Sequence, residues 1–347
     1  MDHTATTCTT EIVLPGRVEP DGLQVRRREL PAPATGQAVL RMDATGVSFA
    51  EQQMRRGKYF DQPPFPFVPG YDVVGTVTAV GPGGDPALVG RRFAAVTKTG
   101  SWAAHQLIDA ADLVPVPDGV DAADAETVVV NGITAWQMLH RSARVRSGAT
   151  IVVLGATGGV GSTLVQLARH EGITVIGTAS PRHHAAVREL GATPVDHHDP
   201  DVYRRIRELA PDGVDAVFDH VGGAAIVESW RLLRRGGTLV SYGTAATKND
   251  EGDSRLPVLK LFARLALWNV LPNGRSATFY NFWAGRRRLD AFRSRLRDDL
   301  TAVLTLLAGG VLTAQVAARF PLSETGAALA LAESRTVAGK VVIVPDA

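Results

Sequence analysis

Cysteine is almost absent: Cys8 is the one thiol in 347 residues. An intrachain disulfide is thereby excluded, and so is a cysteine-rich metal site. Such a chain suits a reducing compartment, and a cytoplasmic location is expected. An excess of charge of one sign is also lacking. Lys plus Arg number 37 and Asp plus Glu 35, a net charge of +2, so no electrostatic footprint for nucleic acid exists. Long apolar runs are missing too. The most apolar segment, Leu256 to Leu271, carries Lys260 and Arg264 and falls short of a membrane span. The start, MDHTATTCTTEIVL, lacks a basic stretch followed by an apolar core, so no signal peptide is expected. The chain reads as soluble, with no stable membrane insertion. What it does hold is 45% apolar residues, enough to fill the cores of two domains or of one large one.

Two textures divide the sequence. To about Val130, short apolar runs alternate with Pro- and Gly-rich turns: Ala38 to Met42, Val73 to Val80, Arg92 to Val96 and Gln106 to Ile108. This punctuation predicts a β-rich region. Beyond it, strands alternate with helices. Strands are expected at Ile151–Leu154, Thr174–Thr178, around Val195, at Ala216–Asp219 and at Thr238–Tyr242. Helices are expected at Gly161–His170, Arg182–Leu190, Val202–Leu209 and Ala224–Leu233. That order predicts an α/β fold with a doubly wound parallel sheet. A polar loop, TAATKNDEGD, then leads to the apolar Leu256–Leu271 helix and a strand over Ser276–Phe282. Leu289, Phe292, Leu296, Leu300, Val303 and Leu307 fall at helical spacing. A strand near Ala314–Phe320, a helix over Glu324–Ala332 and a strand over Lys340–Val344 close the chain.

The richest chemical signal is GATGGVGS, from Gly155 to Ser162. Glycine permits a tight turn and lets the backbone approach a pyrophosphate, while the following helix start offers unpaired N–H groups. The pattern alone is weak, but its place between a strand and a helix is the confirming context. Gly155, Ala156, Thr157, Gly158, Gly159, Val160 and Gly161 are therefore assigned to a dinucleotide. NAD sites carry an acidic residue about 20 residues on, at the end of the second strand. Here Ala179 and Ser180 stand in its place, followed by Arg182 and His183. No carboxylate repels a phosphate there, and Ser180, Arg182 and His183 are able to pair with one. With Thr178 at the strand end, these residues point to NADPH. As an alternative, Arg182 and His183 are solvated residues of a helix start.

GATGGVGSTLVQLARHEGITVIGTAS, FDHVGG and GGTLVSYG resemble the medium-chain dehydrogenase/reductase superfamily. GVSFAEQQMRRGKY, PFVPGYDVVGTVTAVG, VVVNGITAWQML and the final GKVVIV follow in family order. Within the superfamily the chain is similar to the quinone oxidoreductase group, to vesicle amine transport protein homologues and to polyketide enoyl reductase domains. The resemblance implies a GroES-like catalytic domain from residues 1–130 and 284–347. It implies a Rossmann NADP-binding domain from 131–283, an active site in the cleft between the two, and a homodimer. Thr134 and Asn131 lie near the nicotinamide in relatives. Tyr203, Gly222, Gly243, Phe279, Tyr280 and Lys340 are further expected cofactor contacts.

The zinc branch of the superfamily places ligands where this chain has Ser48, Tyr71 and Asn131. Catalytic zinc takes three ligands of Cys, His or carboxylate type, so no metal is expected. Asp196 to Asp199, DHHD, has the side chains to hold a metal, with a solvated loop the preferred reading. Without zinc the resemblance implies hydride transfer from NADPH to an activated C=C or a quinone, with a protein hydrogen bond to the acceptor's oxygen. Expected donors are Ser48, Gln53, Tyr59, Tyr71 and Asn131; pocket lining is the alternative for each. The family's Asn, Asp and Tyr in GVNFxDxY correspond here to Ser48, Glu51 and Gln53, and Asp72 is expected to be a structural partner. The partner is a small enone, quinone or enoyl molecule. Two other readings stay open: a biosynthetic enoyl reductase acting on a carrier-bound acyl chain, and a nucleotide-binding, lipid-associated protein with little turnover. The arginines from Arg286 to Arg297 either face a carrier's phosphate or are solvated. The Leu256–Leu271 helix packs internally, meets a subunit or touches lipid.

Overall fold

The computed structural model describes residues 7–243 and 255–346. The polar TAATKNDEGD loop lies outside them. In chain order the elements begin with β1 (Thr7–Val13), β2 (Gln24–Leu30), β3 (Gln37–Val47), α1 (Phe49–Arg55), β4 (Asp72–Val80), β5 (Arg92–Val96), β6 (His105–Asp109) and β7 (Val114–Pro115). The middle comprises α2 (Ala122–Trp136), β8 (Thr150–Val153), α3 (Gly159–His170), β9 (Thr174–Ala179), α4 (His184–Leu190), β10 (Ala192–Asp196), α5 (Val202–Leu209), β11 (Val214–Asp219), α6 (Ile226–Arg231), β12 (Leu233–Ser241), α7 (Arg255–Val270) and β13 (Ser276–Phe279). The end comprises α8 (Leu289–Ala308), β14 (Val316–Pro321), α9 (Thr325–Ser334) and β15 (Lys340–Val344).

These elements form two compact units, one of Met1–Ile133 with Gly285–Ala347, the other of Thr134–Ala284. The first holds a seven-stranded sheet in the order β14-β15-β3-β4-β5-β7, with β6 also paired to β3. Its ladders are antiparallel except β14 with β15. Strand β3 is the spine. Its Ala38, Leu40, Met42 and Ala44 are buried, the two-residue period of a strand packed on a core. Strand β15 reaches β3 from the far end of the sequence, with Val342 opposite Gly46. Trp102, fully buried, donates its indole N–H to the Gly46 carbonyl at 3.0 Å. Arginines of α8 are used within this unit. Arg293 pairs with Asp109 and Asp112 at 2.7 Å each, and Arg297 donates to the Ala111 carbonyl at 2.8 Å.

The second unit is built on a six-stranded sheet in the order β10-β9-β8-β11-β12-β13, parallel throughout. Its central strands read as nearly continuous apolar runs, Ile151–Val153 and Ala216–Phe218, all buried, as expected where helices cover both faces of a parallel sheet. Leu164, Leu167 and Ala168 of α3 are fully buried, as their helical spacing predicts. In α7, Leu261, Leu265 and Trp268 are buried, and Trp268 stacks on Trp230 at 4.8 Å. Leu259, Phe262, Leu267 and Val270 on the same helix are exposed. No helix among the described residues is long and apolar enough to cross a membrane.

Candidate functional site

The glycine loop leaves the carboxyl end of β8, the position at which parallel α/β sheets bind ligands. Gly155 has φ +72°, and a Cβ there would lie 2.5 Å from the His220 ring. A Cβ on Gly161 would lie 2.2 Å from the Gly155 carbonyl oxygen. Both positions therefore need glycine: the first for its backbone and its neighbour, the second for the turn's closeness. Thr178 ties the loop to β9. Its hydroxyl accepts the Gly155 N–H at 3.0 Å and its carbonyl accepts the Ala156 N–H at 2.9 Å. Helix α3 follows with Gly158 as N-cap. Gly159, Val160 and Gly161 fill its first turn, where N–H groups have no carbonyl within the helix to bind. Thr157 bridges loop and cap.

At the end of β9, Ser180 precedes a short turn over Pro181–His183. Arg182 is exposed and His183 half-buried, and Arg182 Nε donates to His183 Nε2 at 3.1 Å. The carboxylate paired across the ladder, Asp196, faces Ala179 in register. It accepts the His198 N–H at 2.9 Å, which holds its charge in its own loop. Asp196, His197 and His198 present ligand-type atoms within 4.8 Å of one another, largely exposed.

Other expected nucleotide contacts have partners within the second unit. Asp219 accepts the Val221 and Gly222 N–H groups at 2.8 Å each and the Ser229 hydroxyl at 2.7 Å. Gly243 sits against the His220 backbone. Tyr203 lies beside Ser229 and Asp219, and burial, with Asp219 adding, pushes its phenol up. Phe279 meets Phe262 edge-on at 5.3 Å, and Tyr280 donates to Gln137 Oε1 at 2.9 Å. Thr134 is buried on α2. His220, which sequence reasoning did not single out, lies against the loop with Nδ1 3.0 Å from the Leu154 carbonyl.

The first unit gathers the other expected residues. Ser48 caps α1, and its side chain accepts the Ala50 N–H at 3.1 Å. Glu51 Oε2 accepts the Ser48 N–H at 2.8 Å and hydrogen-bonds the Ser48 hydroxyl. This capping box is legible as Ser-Phe-Ala-Glu, a signal that would have singled out Glu51. Glu51 Oε1 accepts the Tyr71 N–H at 2.7 Å. The Tyr71 and Tyr59 hydroxyls lie 2.9 Å apart, with their rings edge-on. Gln53 is buried, and its Nε2 finds no hydrogen-bond partner among the described residues. Asn131 donates to the Thr127 carbonyl at 3.0 Å, one turn back on α2.

Lys340, expected as a cofactor contact, is buried among acids. Its Nζ lies 2.8 Å from Asp72 Oδ2 and 2.5 Å from Glu126 Oε1. Carboxylates as buried as these hold the ammonium well above its ordinary value despite its desolvation. A Cβ on Gly46 would lie 2.5 Å from both Glu126 Oε1 and Lys340 Cε, so the strand must be bare there. Asp72 also accepts the Val130 N–H at 3.1 Å. Burial pushes Glu126 well up, opposed by Lys340.

Two family descriptions match the chain: alcohol dehydrogenase GroES-like domain over residues 34–118, and zinc-binding dehydrogenase over 159–284. The human synaptic vesicle membrane protein VAT-1 homolog is 31% identical over 93% of this chain and 82% of its own length. The chain belongs to the medium-chain dehydrogenase/reductase superfamily and is quinone oxidoreductase-like. A 2-haloacrylate reductase from a Burkholderia species, another relative, is 29% identical over 94% of this chain and 96% of its own. A mycobacterial structure in complex with NADPH superposes with a TM-score of 0.82 at 27% identity, covering 97% of this chain and 100% of the other. The superfamily's fold, a GroES-like domain with a Rossmann-type parallel sheet, is the fold described above. The residues that the resemblance sets at the zinc-ligand positions do not suit that metal: the Ser48 hydroxyl is bound to Glu51, the Tyr71 phenol is paired with Tyr59 and the Asn131 amide is bound to its own helix, and none is a Cys, His or carboxylate.

Proposed function

We propose that this medium-chain dehydrogenase/reductase is a zinc-independent, NADPH-dependent reductase of an activated C=C bond or a quinone. The observation that carries the reading is the donor set at the zinc positions, where Ser48 and Tyr71 offer hydroxyls in place of metal ligands. The dinucleotide, when bound, supplies the hydride. Loop 155–161 would hold its pyrophosphate, and Ser180, Arg182 and His183 would receive the 2′-phosphate. The hydroxyls of Ser48, Tyr59 and Tyr71 orient the acceptor's oxygen and stabilise the charge that develops there. Conjugated acceptors spread that charge, so hydrogen bonds can replace a Lewis acid.

The test is NADPH oxidation against a panel of enones, enoyl thioesters and quinones, with and without a chelator, alongside elemental analysis of the purified protein. Turnover that a chelator leaves unchanged supports the reading. Stoichiometric zinc, or no oxidation across the whole panel, refutes it.

A further inference from the structure

Four ionisable groups lie together beneath Ser48, and between them they carry one cation. Glu51, Asp72, Glu126 and Lys340 are each at most 4% exposed. They come from α1, β4, α2 and β15. Lys340 touches Asp72 and Glu126. Glu51 is the acid left without a cation in contact; its neighbours are the Ser48 and Tyr71 N–H groups and the Ser48 hydroxyl. With all three acids ionised the cluster would hold two uncompensated negative charges, which a buried site does not sustain without binding protons.

We propose that Glu51 carries a proton, and that this proton turns the Ser48 hydroxyl from a bound donor into one available to the reacting molecule. The argument is a count of hydrogens. Ser48 Oγ already accepts the Ala50 N–H at 3.1 Å and has one hydrogen to give. If Glu51 is ionised, that hydrogen is committed to Oε2. If Glu51 is protonated, its own O–H donates to Ser48 Oγ, and the Ser48 hydrogen is released to donate elsewhere. Ser48 is only half-buried while Glu51 is 1% exposed, so the hydroxyl is the member of the pair that can meet another molecule. Burial pushes the Glu51 carboxyl up and Asp72 adds to the rise, while the Ser48 bond, a backbone N–H and Lys340 work against it.

This inference rests on the reductase reading for its chemistry. Hydride reaches the β-carbon of the conjugated acceptor as its C=C electron pair moves towards the oxygen, leaving an enolate. The enolate oxygen takes the Ser48 hydrogen while Ser48 Oγ takes the Glu51 proton. Glu51 is left ionised, the enol product is neutral, and Glu51 regains a proton from water between turnovers. Glu51 is thus a positioning residue that acts through Ser48.

Infrared spectroscopy on the cofactor-free protein tests the proton directly. The C=O stretch of a protonated carboxyl that shifts in D2O is expected in the wild type and in S48A, and the wild-type-minus-E51Q difference spectrum should show one such component, which separates Glu51 from Glu126. Wild-type kcat should fall as pH rises through the midpoint at which that band disappears. E51Q, whose amide donates to Ser48 at every pH, should show a flat profile over that range. S48A should lose about a hundredfold in kcat, the lower range for a general acid, with KM little changed and native circular dichroism. Absence of that component from the difference spectrum, or an S48A profile that keeps the wild-type rate and midpoint, overturns the proposal. Failure of the wild type to oxidise NADPH with any acceptor refutes the reductase reading instead, and the infrared arm still decides the proton.

Discussion

Replacing Lys340 with Met isolates the energy of the buried ion cluster. The ammonium lies 2.8 Å from Asp72 and 2.5 Å from Glu126. At an effective dielectric of about 20, each contact is worth roughly 6 kcal/mol of Coulomb attraction. Desolvating the ions opposes this by several kcal/mol each, so the net worth of the cluster is far smaller. Removing the cation alone is different. It strands Asp72 and Glu126 without a counter-charge, a change that costs about 3–5 kcal/mol. The deficit must depend on pH, and its sign follows from the acids. Glu126 is held well above its ordinary value even with Lys340 present, and losing the lysine raises it further. The folded state then binds more protons than the unfolded chain, so stability falls as pH rises through the folded value. Lys340 itself is charged in both states at neutral pH, because its folded value is raised, and adds no slope there. Denaturant unfolding of K340M at acid, neutral and mildly alkaline pH, followed by tryptophan fluorescence and circular dichroism, should show the full loss at the alkaline end and a smaller one in acid. The triple variant D72N/E126Q/K340M should recover much of it, since no charge is left unpaired. A K340M loss below about 1 kcal/mol, or one constant with pH, would refute the buried-cluster reasoning.

Other expectations follow from the nucleotide loop and the hydroxyl pair. S180D should turn the preference from NADPH towards NADH, and R182A should weaken NADPH by about tenfold or more while sparing NADH, the scale of one hydrogen bond to a charged group; parallel kcat/KM measurements decide both. G161A places a methyl 2.2 Å from the Gly155 carbonyl, so NADPH titration should show at least a tenfold weaker complex, and unchanged binding would contradict the loop's role. Y71F breaks the 2.9 Å hydroxyl pair with Tyr59. It should lower kcat by about tenfold or more with modest change in KM, as for loss of a donor that matters mainly in the transition state.

Some elements were readable from local pattern, and their limits show what local pattern misses. Val202–Leu209 and Lys340–Val344 form with the bounds their periodicity predicts, because apolar spacing alone decides them. Helix α6 is shorter than its apolar spacing suggests, Ile226–Arg231 instead of Ala224–Leu233. Asp219 binds the N–H groups of Val221 and Gly222, Gly222 and Gly223 adopt φ of +66° and +64°, and Leu233 joins β12. The strand expected over Ser276–Phe282 ends at Phe279, where its pairing with Ser241 closes the ladder. A π-helical segment over Gln137–Ala143, ended by Arg144 at φ +51°, carried no sequence mark. In the site, GATGGVGS was legible because its residues are contiguous. The Glu51–Asp72–Glu126–Lys340 cluster was not, because its members lie on four elements up to 289 positions apart (340 − 51) and only the folded sheet brings them together.

The place of β15 between β14 and β3 sets an order on the protein's birth. Domains tend to fold as they leave the ribosome, yet the first unit lacks an interior strand, the one that joins β14 to β3, until residues 340–344 have emerged. The parallel-sheet unit, Thr134–Ala284, is complete well before that. A nascent chain therefore displays a finished second unit while Asp72 and Glu126 still await the lysine that will neutralise them. Translation arrested ahead of Lys340 should yield a chain with a protease-resistant middle and digestible flanks, and emergence of residues 340–344 should make the first unit resistant as well.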